Sequence, residues 1–127
     1  MGEITANVNW LAVGVSTAAA FMLGGLWYSP KLFGTKWAEG FGVAPGEGGH
    51  ARGALVSQFV ATFLLAWVVG VTAANDALLT VILVAVTIAA LMGAGGMFAQ
   101  KSRYAVFTET GFVLTMVVIM ILVHAVL

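Results

Sequence analysis

The chain has 127 residues, of which 61% are hydrophobic and only 8% charged, and it carries no net charge. A soluble domain holds about 25% charged residues, so a mean hydropathy of +1.06 excludes a self-sufficient core in water and implies lipid as the solvent. Neutrality argues against nucleic acid as a partner, and the absence of cysteine removes disulfides, thiolate metal sites and cysteine nucleophiles.

In chain order, Met1-Gly2-Glu3 lacks the basic start of a signal peptide, and the first apolar run ends in Trp27-Tyr28-Ser29-Pro30 rather than a small-residue cleavage site. That run is therefore expected to be a retained span over about 8–28. Asn7 or Asn9 is placed to cap its start, and Pro30 stops it. Trp10 at one end, with Trp27 and Tyr28 at the other, suits the two headgroup levels as interfacial anchors. Ala12, Ser16, Ala20 and Gly24 recur every fourth residue and form one small-residue stripe on which another helix can pack.

The connection over 29–53 divides in two. From Lys31 to Phe41, the residues Phe33, Trp37 and Phe41 share one helical face, as in a short amphipathic helix lying in the interface. The stretch after it is glycine-rich and reads as a flexible loop. Gly46-Glu47-Gly48-Gly49-His50 lacks the Lys-Ser/Thr ending of a phosphate-binding loop. A second span is expected over about 54–74. A tight turn at Asn75-Asp76 follows, with Asp76 as N-cap of a third span over about 77–98. The third span carries its own small stripe, Ala85, Ala89 and Gly93. The fourth covers about 105–127, and at about 1.5 Å per residue it is long enough for ~30 Å of hydrocarbon. The expected fold class is all-α: an integral membrane bundle of four transmembrane helices forming a single domain.

All five basic residues, Lys31, Lys36, Arg52, Lys101 and Arg103, fall in the first and third connections. The positive-inside rule then puts those connections in the cytoplasm and both termini outside, in the cell's inner (plasma) membrane. Sorting polar residues by depth leaves only hydroxyls at mid-membrane, among them Ser16, Thr62 and Thr115. Gln58 and Glu109 sit near the cytoplasmic mouth, where they can meet. Glu109 is favoured there by the helix dipole and by a partner among Arg52, Lys101 and Arg103. His50 and His124 belong to opposite sides, so neither they nor any other group implies a metal site, and no cofactor is indicated. Gly14-Val15-Ser16-Thr17-Ala18 is not a nucleophile elbow. With no paired carboxylates about a common point, no catalytic residue is assigned and the chain is expected not to be an enzyme.

Asn9-Trp10-Leu11-Ala12-Val13, then Gly25-Leu26-Trp27-Tyr28-Ser29-Pro30, Phe33-Gly34 and Trp37, together with Arg103, Phe107 and Gly111-Phe112 in the last span, resemble the DUF1761 family of small bacterial multi-span membrane proteins. The resemblance implies a four-helix membrane fold and assigns no catalytic or ligand-binding residue. The function expected from the residues is a non-enzymatic scaffold, embedded in membrane lipid, that forms a homo-oligomer or serves as an accessory subunit beside another membrane protein. An alternative is an oligomeric transporter or channel for small solutes or ions, with Gln58, Glu109, Thr62 and Thr115 as a polar pathway. Small multidrug transporters share its size and helix count but carry a membrane glutamate in the first helix, where this chain has none. A third reading is a lipid or quinone binder built on Trp27, Tyr28, Phe33 and Trp37.

Overall fold

Each long apolar run becomes a helix because a bilayer leaves no other partner for backbone N–H and C=O groups. A computed structural model describes residues 2–28 and 51–127. The interfacial segment expected over 31–41 lies outside the described residues, as do Pro30, Phe33, Trp37 and His50. A short α1 (Gly2–Thr5) precedes α2 (Trp10–Trp27), and α3 (Ala51–Ala74), α4 (Leu78–Phe98) and α5 (Arg103–Val126) follow. All but α1 are long and apolar enough to cross a membrane, and there is no strand among the described residues.

The ends of the helices are set by side-chain caps and by residues in the left-handed region. The Asn9 side chain accepts from the Ala12 N–H at 3.1 Å and starts α2. Ser102 does the same for α5 through the Ala105 N–H at 3.0 Å, which moves the start two residues ahead of the expected one. Asn7, Asp76 and Gln100 all have positive φ, of 60°, 51° and 60°, and each follows a helix. At Asp76 the Ala77 N–H reaches back to Thr72 O (2.8 Å) and the Asp76 N–H to Ala73 O (3.3 Å), the Schellman pattern for closing a helix. The same pattern closes α4, with Lys101 N–H to Gly96 O and Gln100 N–H to Met97 O, both 3.0 Å. This corrects the expectation for Asp76. It terminates α3, while the N-cap of α4 is Ala77 and has no side-chain cap.

The last helix is the hub. α5 packs against α2, α3 and α4, whereas α4 lies mainly on α5. Accordingly 39% of the α5 span is buried and only 11% of the α4 span. Met120, Val13, Val69, Thr62 and Ser16 are fully enclosed. Within the first small stripe Ala12, Ser16 and Ala20 are buried, and Gly24 lies under the Phe112 ring. In the second, Ala85 is buried and Gly93 faces Thr110 and Val106 of α5. Gly70 marks a close approach of three neighbouring side chains. A Cβ there would stand 2.9 Å from Val13 Cγ2, 3.2 Å from Val8 Cγ1 and 3.3 Å from His124 Nε2.

Candidate functional site

Polar side chains gather at the two ends of the bundle. At one end the Schellman turn after α4 delivers Lys101 to the first turns of α5. Its ammonium donates to both oxygens of Glu109, at 3.0 and 2.9 Å, with the two side chains 27% and 12% exposed. Charge-assisted contacts to both carboxylate oxygens hold the group in one orientation. Beside them the Trp27 indole N–H donates to Thr108 O at 2.9 Å. Phe112 lies edge-on to Tyr28, with ring centroids 5.3 Å apart, and tilted against Trp27 at 6.1 Å. Burial, and then the Glu109 charge, push the Tyr28 phenol above its ordinary range.

At mid-depth each threonine hydroxyl is committed to its own helix. Thr17 donates to Val13 O, Thr62 to Gln58 O and Thr115 to Gly111 O, at 2.8, 2.6 and 2.8 Å. The Ser16 hydroxyl is buried and has no hydrogen-bond partner among the described residues. Gln58 is exposed and its amide donates to Thr62 Oγ1 at 3.2 Å, so it turns along α3, while Glu109 is held by Lys101.

The opposite end carries Asp76 and His124. The His124 Nδ1 lies 2.9 Å from Met120 O, and its Nε2 is enclosed without a partner among the described residues, on the side of Gly70. Trp67 is the anchor there. Its indole donates to Ile4 O at 2.7 Å and its ring tilts against Trp10 at 5.5 Å, which ties α1 to α3. Among the described residues no group of three or more His, Asp or Glu side chains can hold a metal ion.

Residues 11–125 match the family model described as a protein of unknown function, DUF1761. The chain belongs to the DUF1761 family. No curated protein and no solved structure matches it, so no activity comes to this DUF1761 chain from a characterised relative.

Of the residues singled out in the sequence, Ala12, Ser16 and Ala20 of the first stripe are buried, Gly24 meets Phe112 of α5, and Glu109 meets Lys101. Gln58, Thr62 and Thr115 stay within their own helices. Trp27 is half-buried, packed on Phe112 and bonded to α5, so in this DUF1761 fold it ties helices together as well as marking the interface. The sequence reading missed Trp67 and the setting of His124. A tryptophan well inside the second span was a signal for the first. The second depends on the register of α5 against Gly70, which no local pattern carries.

Proposed function

We propose that this DUF1761 protein is a non-enzymatic membrane subunit that acts by lateral association, foremost as a homo-oligomer and otherwise beside a larger membrane protein. One observation carries the reading. α2 has small residues on two faces, and among the described residues only one is packed against the rest of the chain. Ala12, Ser16 and Ala20 are buried, whereas Gly14, Ala18 and Gly25 are exposed, and a Cβ added at Gly14 or Gly25 would meet none of the described residues within 4 Å. Their spacing places these three on one narrow stripe, about 100° of turn per residue. In lipid such a stripe favours a second helix, because association there rests on close backbone approach rather than on apolar burial. The transporter alternative draws less support. Within one protomer the mid-depth threonine hydroxyls donate to carbonyls of their own helices and Glu109 is ion-paired, which leaves Ser16 as an isolated hydroxyl among the described residues and no chain of polar groups among them joining the two ends.

The protein sits in the plasma membrane with the Lys101–Glu109 end in the cytoplasm and both termini outside, as the placement of all five basic residues supports. The chain has no native cysteine, so single cysteines report cleanly. Ala18→Cys in membranes should form a disulfide dimer under mild oxidation, while Val118→Cys on the exposed side of α5 should not. Equal cross-linking of the two, with only monomer in native mass spectrometry, would remove the homo-oligomer. Labelling of Ser102→Cys from outside intact cells would invert the orientation.

A further inference from the structure

His124 stands where three helices meet. Its Nδ1 lies 2.9 Å from Met120 O, one turn back on α5. Its Nε2 is enclosed, with no hydrogen-bond partner among the described residues. A Cβ on Gly70 of α3 would lie 3.3 Å from that nitrogen, beside Val13 of α2 and Val8 just before it. The residue as a whole is only half-buried. Its remaining side borders a cleft of about 340 Å³ between the ends of α3, α4 and α5, where Thr72, Asp76 and His124 are the polar side chains.

The protonation states of the ring do not fit this junction equally. A carbonyl only accepts, so Nδ1 carries a proton in either state that keeps the contact to Met120 O. Those states differ at Nε2. Uncharged, it presents a lone pair to Gly70, Val8 and Val13. Protonated, it drives an N–H and a share of the ring's charge against groups that cannot accept, which is the more costly of the two.

The cleft suits the charged ring better. The Thr72 hydroxyl donates to Val69 O at 2.9 Å, which leaves lone pairs on its oxygen, and the exposed Asp76 supplies a carboxylate. The amino end of α4, which has no side-chain cap, opposes this with about half a unit of positive charge, less than the carboxylate supplies. α2 and α4 carry no ionisable side chain. Glu3 of α1 is exposed, and Lys101, Arg103 and Glu109 lie at the far end of the bundle.

From these two settings we propose that His124 is a proton-operated latch. With Nε2 uncharged, the ring closes on Gly70 and joins α2, α3 and α5 at this end. Uptake of a proton turns the ring into the cleft, toward Asp76, and parts the junction. Histidine is the side chain that changes charge between about pH 8 and pH 5, so acidification on this side loosens one end of the bundle and spares the other.

The test uses the full chain with His50→Gln, which leaves His124 as its single histidine, in phosphatidylcholine nanodiscs. Ring nitrogen resonances report the proton on Nε2. Amide exchange, corrected for the intrinsic effect of pH, reports the junction. Between about pH 8 and pH 5, residues 8–14 and 66–72 should lose about tenfold in protection, the size of one buried donor left unpaired. The midpoint should coincide with that of the ring, and residues 93–98 should stay unchanged. His124→Asn keeps an N–H within reach of Met120 O but cannot titrate, and should hold its protection throughout. Asp76→Asn should carry the transition to lower pH. An equal loss of protection in His124→Asn, a ring that does not titrate in this range, or one that takes up its proton with residues 66–72 unchanged overturns the proposal. The comparison of ring and amides within one protein stands even if His124→Asn fails to fold.

Discussion

Adding one methyl group to Gly70 tests whether α2, α3 and α5 meet as tightly as described. A Cβ at this position would lie 2.9, 3.2 and 3.3 Å from Val13 Cγ2, Val8 Cγ1 and His124 Nε2, so relief at one contact leaves the other two. Forcing an extra carbon into a packed site costs about 1–3 kcal/mol. Against this, alanine is the better helix former by about 0.5–1 kcal/mol. Gly70→Ala should therefore be less stable by a net ~1–2 kcal/mol. Gly95→Ala, where none of the described residues lies within 4 Å, should be neutral or gain up to ~1 kcal/mol. The same chemical change at two helical glycines then differs in sign. Reversible unfolding in mixed micelles, followed by far-ultraviolet circular dichroism, measures both. Val13→Ala should partly rescue Gly70→Ala, with a coupling of at least ~0.5 kcal/mol, as expected of residues in contact. A Gly70→Ala protein as stable as Gly95→Ala would refute this packing of α3 against α2.

Three further outcomes are expected. Lys101→Met and Glu109→Gln should each destabilise by ~1–2 kcal/mol, below the ~3–5 kcal/mol of a fully buried pair, and a double-mutant cycle should show them coupled; additive losses would deny the ion pair an energetic role. Trp67→Phe removes the donor to Ile4 O and should cost ~0.5–1.5 kcal/mol, seen as faster amide exchange in residues 2–8 with α4 unchanged. Ser16→Ala should be neutral or stabilising by ~1 kcal/mol, because it removes a buried hydroxyl without a partner, and a clear loss of stability in the same unfolding assay would show that the hydroxyl has one.

The spans were legible because apolar runs of this length have few alternatives, and their bounds moved by only a few residues. Where they moved, a side chain explains it, as Ser102 does for α5. The four-residue spacing of Ala12, Ser16, Ala20 and Gly24 was readable too, since helical geometry alone puts those residues on one face. Asp76 was misread because one residue between two helices can close the first or open the second, and only φ and the back-bonded N–H groups decide. For Glu109 the sequence offered three cations, and the choice of Lys101 depended on how the turn after α4 folds. The cleft at Thr72, Asp76 and His124 was hidden, because its parts come from three helices whose register no local pattern records.

The hub position of α5 sets an order of events during synthesis. α2 and α3 emerge first and can meet as a hairpin, but α4 enters the bilayer before its main neighbour has been made. It must wait there, supported chiefly by lipid, until residues 103–126 leave the ribosome. A stop codon just after Gln100 would thus strand one helix and leave the hairpin open along the side that α5 normally covers. Residues 103–126 therefore decide whether the bundle closes.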